Sequence, residues 1–399
     1  MVAYLIEYLG MLLRWLHVIA GIAWVGSSFY FIWLDHSLDP PEPGSNSARE
    51  GVSGELWAIH GGGFYNPQKY AVAPARLPEK LHWFKWEAYT TWLSGTALLV
   101  VVYWMRAQSM MVDPSISSLT ATQAVLLGMG SMAASWIVYD LLCRSPLGRH
   151  DGVLGAVVFG LLVLLAWALC RELGGRAAYI QVGASAGTIM AANVFFIIIP
   201  GQKRMVEAMR AGRAPNPLDG IRGKQRSVHN NYFTLPVVFM MLSNHYSATY
   251  GHPQAWAVLA LISAAGILIR HFFNRRHFGV HSWPCLGAGV CILGFVAWWT
   301  APHIQPLPPV AGPVNFDRVR GIVGQRCIVC HSAAPTFPGI LAPPAGVVLT
   351  TPDAIVQNSQ RIYQQVVVTR IMPLGNVTKV TDEERAVVAA WVRAGASPQ

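Results

Sequence analysis

The sequence predicts an all-α fold, a polytopic bundle of eight transmembrane helices followed by a small soluble helical domain. Of the 399 residues, 53% are hydrophobic and only 12% are charged, whereas soluble domains carry about 25% charged residues. The hydrophobic residues form runs close to the roughly 20 residues that a helix needs to cross a bilayer. After residue 300 these runs end and the composition becomes that of a soluble domain.

Eight segments are apolar enough to be spanning helices. They are Leu9–Leu34, Ala88–Met105, Ala121–Cys143, Gly152–Cys170, Ala178–Pro200, His229–Tyr246, Pro253–Phe273 and Pro284–Thr300. The sixth is the least apolar, because Pro236 interrupts it and histidines and asparagines lie at both of its ends. Polar residues inside a bilayer are costly and usually face a cavity or a partner. We therefore expect functional side chains on this helix.

The basic residues predict the orientation of the bundle. With the N-terminus outside, the loops 35–87, 144–151, 201–228 and 274–283, together with Arg270, hold 17 basic residues, and the external loops hold three. Cytoplasmic loops carry the excess of Lys and Arg. Most of the net charge of +10 is therefore a topology signal and does not indicate nucleic-acid binding. The C-terminus is predicted to lie outside.

The chain divides into the helical bundle at 1–300, a Pro-rich linker at 301–312 and a soluble domain at 313–399. The linker is expected to be extended, since proline fixes φ and blocks helix formation. The last helix is predicted to begin with a capping box of Thr381 and Glu384. Gly395 is expected to end it.

The segment Cys327-Ile-Val-Cys330-His331 is the C-x-x-C-H signature of covalent haem attachment. Two thiols one helical turn apart add to the two vinyl groups of haem, and His331 presents its imidazole to the iron. The alternative is an isolated C-x-x-C pair that binds zinc or has a redox role. A zinc site would need a second pair of ligands, and no second C-x-x-C follows.

Met372 is the only methionine after this motif, and it is the candidate sixth ligand, although methionine also fills cores. Its loop, before Pro373 and the last helix, resembles the axial-ligand loop of small class I cytochromes c. A His/Met pair suits electron transfer. Phe316 and Trp391 would then pack in the first and last helices of this domain. Haem c is attached outside the cytoplasmic membrane, in agreement with the predicted external C-terminus.

In the first helix, His17, Gly21 and Trp24 fall on one face at i, i+4 and i+7. A glycine one turn after a histidine allows a flat macrocycle to lie against the backbone. A haem b held by His17 and His245 would be a relay across the bilayer. The alternative is a hydrogen-bonded core histidine.

Three polar motifs lie towards the predicted cytoplasmic side: the glycine-rich stretch beginning at His60, the stretch beginning at Glu87, and the start of the sixth helix at His229 and Asn231. Glycine permits close approach of a ligand to the backbone, and His, Asn and Thr supply directed hydrogen bonds. Together these motifs would hold a planar polar heterocycle between aromatic rings. Each alone would also serve as an ordinary loop or helix cap. An arginine of 201–228 would clamp an anionic substrate.

These motifs resemble the membrane-bound, cytochrome c-containing urate oxidase (urate hydroxylase) family of bacteria. The resemblance is carried by L-H-V-I-A-G-I-A-W-V-G-S-S-F at 16–29, H-G-G-G-F-Y at 60–65, E-A-Y-T-T-W-L-S-G at 87–95, H-N-N-Y-F-T-L-P-V at 229–237, S-N-H-Y at 243–246 and C-I-V-C-H at 327–331. It implies an enzyme that oxidises urate to 5-hydroxyisourate. Electrons would leave through haem c to a soluble cytochrome c or a terminal oxidase, without peroxide formation.

On this hypothesis Glu87, His60, His229 and Asn231 are the candidate catalytic residues, with a histidine or Glu87 as the proton acceptor. The protein would be a multi-pass protein of the bacterial cytoplasmic membrane, with its cytochrome domain on the periplasmic side. A different class of function is a non-catalytic quinol-to-cytochrome subunit of a respiratory complex. A transporter with a redox-sensing tail is less favoured, because no pair of inverted broken-helix repeats is evident.

Overall fold

The computed structural model describes residues 2–301, 306–338, 340 and 342–398 and is mostly helical. Eight long helices form the part before residue 301. They are α1 (Val2–Ser37), α2 (Trp86–Leu98, continued by a π-helix over Leu99–Trp104), α3 (Ala121–Arg144), α4 (Asp151–Glu172), α5 (Gly175–Arg210, with a π-helix over Asn193–Ile198), α6 (Pro217–Leu242), α7 (Ala255–Arg276) and α8 (Trp283–Trp299). Each of the eight predicted segments overlaps one of these helices.

Five of the helices are long and apolar enough to cross a membrane, namely α1 over Tyr4–Ser37 and α3, α4, α5 and α7. Helix α8 is apolar but shorter. On α1, Trp15 and Ile22 are 66% and 68% exposed, as expected of side chains that face lipid. This part of the chain is therefore compatible with a multi-pass membrane protein. That α2, α6 and α8 also cross the membrane stays a prediction.

The sixth helix begins earlier than predicted. Helix α6 begins at Pro217, in the favoured first helical position, and Asn216 caps it by accepting a hydrogen bond of 3.0 Å from the Leu218 amide. His229 therefore lies in the middle of α6 and does not open it. The charged residues between 219 and 226 hid this first half from the hydropathy pattern. His245 lies beyond the end of α6, in a 3-10 turn at Ser243–His245.

The predicted cytoplasmic segment 35–87 contains four short strands, which the all-α prediction did not include. Strand β1 (Val52–Glu55) pairs with β4 (Gln68–Tyr70), and between them β2 (Ala58–His60) pairs with β3 (Gly63–Tyr65), both antiparallel. Gly61 and Gly62, with φ of 57° and 80°, form the two-residue turn that suits a tight hairpin. The strands are too short for their alternation to be recognised in the sequence.

Shorter helical turns connect the long elements. They are α-helical at Asn46–Arg49, Ala107–Met110 and Ser247–Tyr250, and 3-10 at Pro146–Arg149, Ser243–His245, Pro344–Gly346 and Leu374–Asn376.

Helix α5 is the centre of the bundle. Of the most apolar 18-residue stretch of α5, 67% of the residues are buried, against 11% for the corresponding stretch of α1. Small residues allow this close packing: a Cβ added to Gly183 would lie 2.8 Å from Cβ of Met240 on α6. Helix α6 contacts both α5 and α7, and its buried polar residues lie in its middle, at Arg226, Asn230, Asn231 and Thr234.

The C-terminal unit contains α9 (Phe316–Arg326), α10 (Pro352–Gln357), α11 (Ser359–Ile362, continued by a π-helix over Tyr363–Val368) and α12 (Asp382–Arg393). The predicted capping box of α12 is confirmed, since the Glu384 amide donates to Thr381 Oγ1 at 3.2 Å and the Thr381 amide donates to Glu384 Oε2 at 2.9 Å. Gly395 follows the helix with φ of 97°. The rings of Phe316 and Trp391 pack with their centroids 5.9 Å apart.

The predicted linker lies partly outside the described residues, at 302–305. Residues 306–315 form neither helix nor strand, and Leu307 and Val310 pack against the core of the C-terminal unit.

The C-terminal unit packs on one end of the bundle. A Cβ added to Gly375 would lie 2.7 Å from Asp113 Oδ1, and one added to Gly251 would lie 3.0 Å from Ile371 Cδ1. Asp113 and Gly251 belong to the loops that follow α2 and α6. The distribution of basic residues predicts that these loops lie on the external side of the membrane.

Candidate functional site

The middle of α6 contributes polar side chains to two clusters inside the bundle. The Arg226 cluster consists of Tyr139, Asp140, Asn193, Arg226, His229 and Asn230. The Arg270 cluster consists of Ser28, Phe29, Asn231, Arg270 and Asn274. Each joins α6 to neighbouring helices, the first to α3 and α5 and the second to α1 and α7.

In the Arg226 cluster a buried cation has its counter-ion. Arg226 is 3% exposed, and its Nη2 donates to Asp140 Oδ1 at 2.7 Å. Its Nη1 donates to Asn193 Oδ1 at 3.3 Å, and its guanidinium carbon lies 4.9 Å from the centre of the Tyr139 ring. Asn193 begins the π-helix of α5. This π-helix ends two residues before Pro200, which cannot donate a backbone hydrogen bond to the helix.

His229 is the member of this cluster whose hydrogen bonding is incomplete. Its Nδ1 lies 2.8 Å from the Tyr139 hydroxyl, while its Nε2 is buried and has no hydrogen-bond partner. The exposed Asp151 lies at the start of α4, and its Oδ1 is 3.9 Å from Nε2. The imidazole therefore lies between a buried hydroxyl and a carboxylate that reaches solvent.

In the Arg270 cluster a buried cation has no counter-ion. Arg270 is 5% exposed; its Nε donates to Asn231 Oδ1 at 2.8 Å, and its guanidinium carbon lies 3.6 Å from the centre of the Phe29 ring. Its Nη2 is buried without a partner. In the part of the chain that the structure describes, no aspartate or glutamate forms an ion pair with it.

The amide groups around Arg270 are also incompletely paired. Asn274, one turn after Arg270 on α7, donates from Nδ2 to Asn231 Oδ1 at 2.9 Å, and its own Oδ1 is buried without a partner. Asn231 Nδ2 donates to Ser28 Oγ at 3.3 Å. The cluster therefore presents a buried donor, Arg270 Nη2, and a buried acceptor, Asn274 Oδ1, that have no partner in the described structure.

The other two predicted catalytic residues lie apart from these clusters. His60 is an exposed residue at the end of β2, beside the hairpin turn. Glu87 lies in the first turn of α2 and is partly buried. No hydrogen bond or ion pair of the described residues joins either side chain to His229 or Asn231. The structure thus places His229 and Asn231 on α6 but in different clusters, and its contacts do not connect them with His60 or Glu87.

His17 packs against α2. Its Nδ1 lies 3.0 Å from the Thr91 carbonyl oxygen and 3.1 Å from Ser94 Oγ, and a Cβ added to Gly95 would lie 2.9 Å from its Cε1. Because a carbonyl only accepts, Nδ1 carries the proton and Nε2 keeps its lone pair. His245 is exposed, and no contact of the described residues joins it to His17. A haem b between the two stays a prediction.

The four residues predicted to hold haem c line one cavity. It has a volume of about 1080 Å³ and lies between the C-terminal unit and the adjoining end of the bundle. Cys327, Cys330, His331 and Met372 all line it. On the bundle side its lining includes Tyr250, His252 and Trp256.

His331 is oriented within this cavity by the backbone. Its Nδ1 donates to the Val347 carbonyl oxygen at 3.0 Å, so the proton is on Nδ1 and the lone pair of Nε2 is available. Burial raises the pKa of Cys327 to about 12, so its thiol is uncharged at neutral pH. Among the described residues no cluster of three or more His, Cys, Asp or Glu side chains has the geometry to hold a bare metal ion.

Sequence reasoning missed Arg270 and Tyr139. Arg270 was counted among the cytoplasmic cations, because it lies at the polar end of an apolar run, and Tyr139 is one aromatic residue in a long apolar helix. A basic residue within a predicted span is the signal that could have identified Arg270, since such residues usually have a functional role.

The fold and these sites define a helical protein with membrane-compatible helices, an unpaired buried cation in its bundle and a cysteine- and histidine-lined cavity beside it. A profile of the Urate oxidase N-terminal family matches residues 3–301, and the chain belongs to this family. The protein is therefore related to urate oxidases. Neither the curated proteins nor the solved structures contain a significant match.

Proposed function

We propose that this protein oxidises urate to 5-hydroxyisourate at a membrane and passes the electrons to an external acceptor through a haem c held by its C-terminal unit. One observation carries the proposal. A chain that belongs to a urate oxidase family over residues 3–301 continues into a unit where Cys327, Cys330, His331 and Met372 line a single cavity. Substrate chemistry and electron exit are thereby joined in one polypeptide.

The residues of the cavity fit a covalently bound haem. The thiols of Cys327 and Cys330 would form the two thioether bonds, Nε2 of His331 is free for the iron, and the Met372 sulfur would be the sixth ligand. A haem held in this way carries one electron at a time at a potential suited to electron transfer. The cavity volume of about 1080 Å³ lies at the upper end of the range typical of small-molecule sites.

In the overall reaction, urate gains the oxygen of one water and releases two protons and two electrons. At least one group inside the bundle must therefore take up a proton and pass it to solvent. His229 is our candidate, because its buried Nε2 has no partner and lies 3.9 Å from the exposed carboxylate of Asp151. The proton would be taken up at Nε2 and released through Asp151. Roles for Glu87 and His60 stay predictions.

We infer a location in the bacterial cytoplasmic membrane, with the C-terminal unit on the periplasmic side. Two features support it. The loops at the end of the bundle that carries this unit hold only three of the basic residues, and the opposite loops hold 17. Covalent haem attachment also takes place outside the cytoplasmic membrane.

The proposal is tested anaerobically with membranes that contain the full chain, urate and oxidised soluble cytochrome c. We expect two equivalents of cytochrome c to be reduced for each urate consumed. Consumption of urate only in the presence of oxygen, with matching peroxide formation, would contradict it. Reduction of the protein by a quinol without any response to urate would instead support the non-catalytic electron-transfer function.

A further inference from the structure

Two buried arginines of the bundle differ in one respect. Arg226 and Arg270 are 3% and 5% exposed, and both stack on an aromatic ring. Arg226 has the carboxylate of Asp140 at 2.7 Å, whereas Arg270 has no carboxylate partner among the described residues. Arginine stays charged in proteins, and an uncompensated charge is costly to bury. The bundle therefore holds one positive charge that needs an anion.

The groups around Arg270 indicate what kind of anion it is. Seven buried side-chain nitrogen and oxygen atoms lack a partner in the described structure, and three of them belong to His36, Arg270 and Asn274. His36 lies near Arg270 and near the backbone of Asn274. Buried polar atoms without partners are rare in proteins. Arg270 Nη2 and Asn274 Oδ1 belong to side chains one turn apart on α7 that share the Asn231 oxygen, and together they indicate a ligand that supplies the missing bonds.

We propose that the Arg270 cluster binds the urate monoanion. Urate is planar, and each of its lactam edges has a carbonyl oxygen beside an N–H. Arg270 Nη2 would donate to the carbonyl oxygen in a charge-assisted hydrogen bond, and Asn274 Oδ1 would accept from the N–H. A carboxylate or phosphate would satisfy Arg270 but would leave the Asn274 acceptor unpaired.

The neighbouring residues hold this pair of groups in place. Asn231 Oδ1 accepts from both Arg270 Nε and Asn274 Nδ2, at 2.8 and 2.9 Å, and so fixes the two side chains relative to each other. At the end of the bundle the His36 ring lies against Phe278, with centroids 3.9 Å apart and the ring planes tilted by 36°, and Phe278 is 61% exposed. Urate would enter from this predicted cytoplasmic end.

This inference rests on the proposed function, and its test separates the two. The full haem-containing chain is purified in detergent, reduced under anaerobic conditions to prevent turnover, and dialysed against radiolabelled urate. Oxidation of urate is measured separately with ferric cytochrome c as acceptor. If the wild-type chain neither binds nor oxidises urate, both the proposed function and this inference fail.

The variant Arg270→Gln should weaken urate binding by about tenfold to a hundredfold, the size of a hydrogen bond to a charged group. The matched control is Arg275→Gln on the same helix, where the side chain is exposed, and it should bind like the wild type. If Arg270→Gln and Arg275→Gln both bind like the wild type while the wild type oxidises urate, the inference alone is wrong.

A second variant covers the case in which Arg270→Gln fails to fold. Asn274→Asp places a carboxylate one turn after Arg270, where it would form an internal ion pair and compete with the anion. We expect urate binding to fall at least tenfold while the melting temperature stays the same or rises. Unchanged urate binding by a folded Asn274→Asp protein would overturn the proposal.

Discussion

The Tyr139 hydroxyl lies 2.8 Å from Nδ1 of His229, and both side chains are inside the bundle, where water cannot replace the contact. The same hydroxyl accepts a hydrogen bond of 3.2 Å from Asn193 Nδ2. A phenolic oxygen can accept a second hydrogen bond, and in the proposed reaction Nδ1–H of His229 donates to Tyr139. A neutral His229 then keeps its lone pair on Nε2, which is the nitrogen that takes up the proton.

Tyr139→Phe should therefore impair turnover as well as stability. Loss of the hydroxyl leaves His229 Nδ1 without a partner, at a cost of about 1–3 kcal/mol in unfolding free energy. We also expect kcat for urate to fall at least about tenfold, because a positioned proton acceptor contributes factors of about 10² to 10⁴. Steady-state urate oxidation and thermal unfolding of the same preparation measure the two effects.

Tyr179→Phe is the matched control for this change. Tyr179 is also fully buried, and its hydroxyl donates to the Ala255 carbonyl oxygen at 2.6 Å, away from both clusters. It should lose comparable stability and keep the wild-type kcat. If the two variants lose kcat equally, the role of Tyr139 is only structural.

Alanine in place of Cys327 or Cys330 should remove one thioether bond each, and the double variant should lose covalent haem. The measurement is haem-dependent peroxidase staining of the denatured chain on a gel. Cys291→Ala is the control, since Cys291 is an exposed thiol on α8 and should leave the staining unchanged. Full staining of the double variant would contradict the haem assignment.

Gly95→Ala should destabilise the packing of α1 on α2. The added Cβ would lie 2.9 Å from Cε1 of His17, and overpacking of this kind costs about 1–3 kcal/mol. The comparison is Gly21→Ala, where the added Cβ meets nothing within 4 Å and no loss of stability is expected. Thermal unfolding of both variants checks this, and equal destabilisation would contradict the contact.

The same pair of variants tests the predicted haem b. If a macrocycle lies on the His17 face of α1, the open space at Gly21 is its position, and Gly21→Ala should reduce a b-type band in the reduced-minus-oxidised spectrum. A b-type band that is equally strong in Gly21→Ala would exclude this position.

The sequence was sufficient to predict the helices, because apolar runs near 20 residues long have few alternative structures in a membrane. All eight predicted segments overlap helices, and the capping box at Thr381 is confirmed. The sequence was insufficient where charged residues lie within a long helix. The first half of α6 contains Arg222, Lys224 and Arg226, and these charges suggested a loop although the backbone is helical.

The candidate site was predictable only in part for the same reason. His229 and Asn231 are recognisable as polar residues in an otherwise apolar region. Their partners Tyr139 and Arg270 are more than 35 residues distant along the chain, and nothing in the local pattern pairs them. Whether a buried arginine has a carboxylate depends on which helices meet, and only the tertiary structure supplies that information.

The contrast between the two arginines predicts opposite changes in stability. Arg226→Met breaks the buried ion pair of Asp140 and leaves it only the exposed Arg144, whose Nε lies 2.6 Å from Oδ2. The melting temperature should therefore fall, although by less than the loss of about 3–5 kcal/mol that follows when a buried charge keeps no partner. Arg270→Met removes a charge that has no counter-ion and replaces it with an apolar chain of similar length. Because this relieves a desolvation cost that no carboxylate offsets, the melting temperature should stay the same or rise. Urate oxidation should nevertheless be lost, as expected where a site is stabilised only by its ligand.

The measurement is thermal unfolding of both variants without urate and at saturating urate. A ligand that binds only the folded protein stabilises it by RT ln(1 + [L]/Kd), so urate should raise the melting temperature of the wild type but not that of Arg270→Met. In Arg226→Met, a further Asp140→Asn change should recover part of the lost stability by removing a carboxylate that keeps only the exposed Arg144 as its partner. If Arg270→Met melts as far below the wild type as Arg226→Met does, the guanidinium of Arg270 is a structural group whose charge is already compensated, and the bundle has no free cation for an anion to pair with.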